Sequence, residues 1–141
     1  MYGGDAEKMT ERSAEYAKIG RRLIRTLPEF EDIRDQKVRI AYLVSDEEKK
    51  KGKTKLVCAD CTQVNSRYEW CCKYDFMITV YEPNVEYFTD HQKEILIRHE
   101  LHHIGIDYDG VEPSFFIVPH DVEEFWDIID RYGLEWSKNG Q

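Results

Sequence analysis

The sequence predicts an α+β fold in which helices pack on a small, mostly antiparallel sheet. Three observations carry this prediction. A helical repeat of apolar residues fills the N-terminal part of the chain, three strand-like stretches follow it, and two capped helical patterns come after them. The chain has 141 residues, 41% of them hydrophobic and 13% aromatic, which fits one folded domain spanning 1–141 with a real core.

From about Asp5 to Thr26, Tyr16, Ile19, Leu23, Ile24 and Leu27 recur at spacings of three and four with Arg and Glu between them, the pattern of an amphipathic helix. Pro28 ends it, because proline disfavours helical geometry in the residue before it. Val38, Ile40, Tyr42 and Val44 alternate with Arg39, Ala41 and Leu43 as a first strand. The charged stretch Ser45 to Lys53, with Gly52, reads as a turn. A second strand is expected at about Thr54 to Ala59 and a third at about Asp75 to Tyr81, with Phe76, Ile78 and Val80 on one face. Pro83 and Asn84 break the third. Thr89 and Gln92 then form a capping box, and the helix they start is expected to reach about Ile104 with Gly105 as its stop. A loop through Asp107, Asp109, Gly110 and Pro113 leads to the apolar run Phe115 to Val118. Asp121 and Glu124 cap a last helix whose buried stripe is Val122, Phe125, Trp126, Ile129 and Tyr132, with Gly133 at its end.

The formal net charge of −8 argues against a surface built wholly for nucleic acid. The local exception is the lysine-rich run from Lys49 to Lys55, most simply a solvated hairpin tip. It leaves a nucleic-acid contact open, but no matching stripe of Arg and aromatic residues supports one. No window approaches the roughly 18 consecutive apolar residues of a membrane span, and no apolar segment follows a basic N-terminus, so no membrane partner and a cytoplasmic location are expected. In that compartment Cys58, Cys61, Cys71 and Cys72 read as reduced thiols rather than disulfides. Cys58 and Cys61 make a good half-site for a second, structural zinc, but neighbouring side chains such as Cys71 and Cys72 point apart in an extended chain. Plain thiols are the preferred reading.

The chemistry concentrates in Arg98-His99-Glu100-Leu101-His102-His103. His99, Glu100 and His103 make the pattern His-Glu-x-x-His. On a helix, residues four apart share a face, so two imidazoles can bind one Zn²⁺ while the glutamate reaches a water on it. Ile97, Leu101 and Ile104 form an apolar stripe for the core, and Glu94, Arg98 and His102 form a polar one, which makes His102 a poor ligand. His91 lies two turns upstream, too far along the helix to share the ion. A catalytic zinc usually has three protein ligands and an open position. His120, in the loop after Pro119, is the preferred third ligand, with Glu123 and Glu124 as rivals.

His99-Glu100-Leu101-His102-His103-Ile104-Gly105 followed by Pro119-His120-Asp121-Val122-Glu123-Glu124-Phe125 resembles the phage metallopeptidase family, and more distantly the SprT-like zincins. The similarity runs from about Tyr16 to Trp136 and includes Tyr74-Asp75-Phe76. The first block is common to zincins at large; the pairing with the second is more specific. The resemblance implies a minimal zincin-like fold and a small zinc hydrolase of mobile-element origin, its ion held by the two motif histidines and a downstream one. It supplies no substrate; a protein or peptide substrate is what the peptidase reading itself expects, and a phage-encoded chain is expected in the host cytosol. Glu100 is then the general base, the strand near Ile78 to Tyr81 is a candidate edge for an extended substrate, and Tyr81, Tyr87 and Tyr108 are candidates to polarise its carbonyl. The alternative is a non-catalytic zinc-binding module of mobile-element origin that holds a partner protein. The presence of Glu100, which a purely structural site does not need, favours the enzyme.

Overall fold

A computed structural model describes residues 9–119. The predicted C-terminal helix, with His120, Glu123 and Glu124, lies outside the described residues. The first element is not the helix but a short strand, β1 (Thr10–Arg12). Three exposed residues have no alternation from which a strand could be read. Helix α1 (Ala14–Thr26) starts after Ser13, whose hydroxyl accepts a hydrogen bond from the Tyr16 amide at 3.1 Å. It stops before Pro28, which opens a 3-10 turn (Pro28–Phe30) leading into the short α2 (Glu31–Asp35).

Strand β2 (Ile40–Ser45) follows, then a small hairpin of β3 (Lys50–Lys51) and β4 (Lys55–Leu56), then β5 (Ala59–Gln63) and β6 (Phe76–Tyr81). The second predicted strand is thus displaced. Lys55–Leu56 belong to the hairpin, and the strand that joins the main sheet is Ala59–Gln63, whose polar residues hide its pattern. The main sheet has the order β1-β2-β6-β5. Its outer pairs are antiparallel, but β2 and β6 run parallel, with Ile40 opposite Phe76 and Ser45 opposite Tyr81. The sheet is mostly antiparallel, as the sequence predicts. The parallel centre is a non-local feature that no local pattern announces. It also overturns one expectation: β6 is paired along both edges, so it cannot accept an added strand. Among the described residues, the open edge on that side belongs to β5.

The short α3 (Glu82–Val85) leads to α4 (Asp90–Leu101), after which β7 (Ile104–Asp107) and β8 (Ser114–Ile117) form a second hairpin. The α4 start is as predicted: Thr89 Oγ1 accepts from the Gln92 amide at 3.2 Å, and Gln92 Oε1 accepts from the Thr89 amide at 2.8 Å. Its end is not, because the helix stops at Leu101 and Ile104 and Gly105 are already strand. Gly105 serves a close approach instead, since a Cβ there would meet the Phe116 ring at 2.4 Å. Phe76, Ile78 and Val80 of the sheet pack with Tyr16 and Leu23 of α1 and with Leu96, Ile97 and Leu101 of α4 in one core. No helix among the described residues is long and apolar enough to cross a membrane.

Helix α1 and strand β2 approach closely in this core. A Cβ on Gly20 would lie 2.3 Å from atoms of the buried Tyr42 ring. Gly20→Ala should therefore destabilise by about 1–3 kcal/mol in denaturant unfolding, although alanine is the better helix former. The Tyr42 hydroxyl is buried with no hydrogen-bond partner among the described residues. Tyr42→Phe should then leave stability unchanged or raise it, and a loss above about 1 kcal/mol would show that the hydroxyl is satisfied after all.

Candidate metal centre

Helix α4 is wrapped by the fold on most sides. Gln92, Ile95, Leu96, Ile97 and Leu101 are buried, and so are His99 at 7% exposed and Glu100 at 1%. The apolar stripe meets the core as expected. The polar stripe turns out to be gripped rather than merely solvated: Glu94 pairs with Arg22 of α1 at 2.5 Å, and neighbouring Lys93 pairs with Glu15 at 2.8 Å. Arg98 reaches Glu29 of the 3-10 turn through Nη2 at 2.6 Å and Nε at 3.0 Å. His102 also contacts Glu29, and its ring lies 4.9 Å from that of Phe30. His102 is thus held on the outside of the helix, away from His99 and His103.

His103 is not on the helix. His102 caps α4, and His103 sits in the turn that leads into β7, where its amide donates to the Glu100 carbonyl at 3.0 Å. The ring is 7% exposed, and its centroid is 5.0 Å from that of His99, with the planes nearly perpendicular at 84°. A second chain segment fixes it. His103 Nδ1 lies 2.7 Å from the Val118 carbonyl oxygen, and the Val118 amide donates to the His103 carbonyl at 2.7 Å. A carbonyl can only accept, so Nδ1 carries the proton and the lone pair of the neutral ring is on Nε2. That tautomer is the one a metal ligand needs.

Burial first, and then the charges of Glu100 and Asp60, push the Cys61 thiol up from its ordinary pKa, which places the Glu100 carboxyl within electrostatic reach of β5. Helix α4, which carries Glu100, packs against β5.

Other candidates are dispersed. Among the described residues no group of three or more His, Cys, Asp or Glu side chains is arranged to hold a metal, so the four cysteines do not gather. His91 is exposed in the first turn of α4. Tyr81 donates to Asp60 at 2.7 Å and accepts from Lys49 at 3.2 Å. It alternates with Val80 and so lies on the sheet face opposite the motif helix. Tyr87 and Tyr108 are exposed. The grip of Glu29 is what sequence reasoning missed, because its partners lie 69 and 73 residues further on.

The hydrogen bond from Arg98 first, with that from His102, holds the Glu29 carboxyl below its ordinary pKa. A depressed carboxylate contributes stability that is full above the ordinary glutamate range, near about 4.3, and lost as pH falls through the folded value. Glu29→Gln should cost about 1 kcal/mol at pH 7, seen as a drop of about 2–4 °C in Tm, and the difference from the unsubstituted chain should shrink below about pH 4. A gap that stays constant down to pH 3 would show that Glu29 contributes through packing rather than charge.

No curated protein and no solved structure matches the chain. From residue 8 to residue 140 it matches the model of the family described as "Putative phage metallopeptidase", and the chain belongs to that family.

Proposed function

We propose that this chain is a zinc-dependent peptidase in which His99, His103 and His120 hold the metal and Glu100 is the general base. The family description implies a metal cofactor and a protein or peptide substrate. The observation that carries the finer reading is the hydrogen bond from His103 Nδ1 to the Val118 carbonyl, which sets the ring in the ligand tautomer and orients it. The ring geometry agrees with it. Two imidazoles bound at about 2.0–2.1 Å to one tetrahedral ion have centroids about 5.2 Å apart, and those of His99 and His103 are 5.0 Å apart. His120 is supported by the same clamp, since Val118 stands two positions before it and two trans residues span at most about 7 Å.

When bound, zinc supplies Lewis acidity, polarising a carbonyl and lowering the pKa of water from 15.7 to about 7. The chain's own groups do the rest. Glu100 takes a proton from the attacking water as the C–O bond forms, and then delivers it to the amide nitrogen, which leaves as an amine when the C–N bond breaks. Burial of Glu100 keeps bulk water from competing for that proton. The open edge of β5, beside the Glu100 end of α4, offers main-chain hydrogen bonds to an extended substrate.

Purified protein should bind about one zinc per chain, and His99→Ala or His103→Ala should remove it. His120→Ala should weaken binding sharply while Glu123→Gln and Glu124→Gln spare it; the reverse pattern would overturn the ligand set. Glu100→Gln should keep the zinc and lose about 10²–10⁴-fold in hydrolysis of unfolded proteins or a peptide library. Should wild type cleave nothing, itself included by mass spectrometry, the peptidase reading fails.

A further inference from the structure

A chain of net charge −8 places a concentrated positive charge at one end of its open sheet edge. Lys50, Lys51 and Lys55 lie on β3 and β4, and Lys53 in the turn between them, where Gly52 takes a φ of 72°. All four lysines are exposed, and none makes a side-chain ion pair among the described residues. Lys51 and Lys55 stand directly opposite each other, an arrangement of like charges that destabilises a strand pair. Lys49 differs, being neutralised by Asp60 at 2.8 Å.

The hairpin is fastened to the sheet. Asn84 Nδ2 donates to the carbonyls of Lys49 at 2.9 Å and Val57 at 2.7 Å, the Val57 amide donates to the Lys49 carbonyl at 3.0 Å, and the Tyr81 amide donates to the Cys58 carbonyl at 2.9 Å. β4 therefore runs on through Val57 and Cys58 into Ala59, the first residue of β5. A polypeptide added to the open edge of β5 in the antiparallel sense, the slightly more stable pairing, sends its C-terminal part past Ala59 toward the lysines.

Resting on the peptidase reading, we infer that the Lys50–Lys55 hairpin selects substrates with acidic residues on the C-terminal side of the segment that pairs with β5. The occupant is an acidic polypeptide rather than nucleic acid. No aromatic residue lies between Asp46 and Val57 to stack a base, and the acidic remainder of the chain repels a long polyanion.

The test uses the full, zinc-loaded Glu100→Gln chain, which binds without turnover. Fluorescence anisotropy is read with three labelled peptides that share one β-prone core and carry acidic residues after it, acidic residues before it, or Asn and Gln in their place. The first should bind about tenfold more tightly than the other two at low salt. That ratio should fall toward one in about 0.5 M NaCl, where screening shortens the reach of charge to a few ångström. It should also fall toward one when Lys50, Lys51, Lys53 and Lys55 are all changed to Ser. Equal affinities, a preference that survives salt or the lysine changes, or tighter binding of a single-stranded oligonucleotide than of the acidic peptide each overturn the inference. Cleavage of the three peptides by wild type separates the two levels: cleavage without preference sinks the inference alone, whereas neither binding nor cleavage of any peptide sinks the peptidase reading with it.

Discussion

Helix α4 ends two residues short of the second histidine of its motif, so His103 needs an external anchor. Two hydrogen bonds to Val118 provide it, one from the ring and one to the main chain. They hold the turn after the helix, dock the β7–β8 hairpin against it and decide which ring nitrogen bears the proton. The orienting acceptor is a backbone carbonyl, so no side-chain substitution at Val118 can delete it. Only a shift of the hairpin itself could, and Phe115, packed against Phe76 of the sheet with ring centroids 6.1 Å apart, opposes such a shift.

The helix is positioned from its other side by charge. Its polar stripe could have faced water; instead Glu94, Arg98 and His102 engage Arg22 and Glu29, while Lys93 engages Glu15. Exposed pairs of this kind are worth little singly. Their effect is directional, fixing the rotation of α4 about its axis so that His99 and Glu100 point into the fold while Arg98 and His102 point out. Apolar packing alone specifies rotation loosely in a helix buried on most of its faces.

What the sequence revealed follows from how local each signal is. The Thr89–Gln92 box, the Pro28 stop, the Phe76-Ile78-Val80 alternation and the spacing of His99, Glu100 and His103 involve residues a few positions apart, and all of them were legible. The early end of α4 was not, because Ile104 and Gly105 fit a helix end and a hairpin strand equally well, and the pairing of Gly105 with Phe116 decides between them. The parallel pairing of β2 with β6, the edge position of β5 and the grip of Glu29 all depend on partners far along the chain. The motif residues could be picked out by spacing, but the carbonyl that orients His103 could not, since any main-chain oxygen might have served.

The parallel centre of the sheet also bears on how the chain reaches this state. Arg39 and Asp75, at the start of the β2–β6 pair, are joined across 36 residues by three hydrogen bonds to the Asp75 carboxylate, one from the Arg39 amide and two from its guanidinium. Closing a loop of that length costs about 3 kcal/mol of chain entropy before any ladder contact is gained. Contacts of such high order slow folding, whereas the β7–β8 hairpin and α4 can form from neighbouring residues alone. The two motif histidines and Val118 can therefore meet while the sheet is still incomplete.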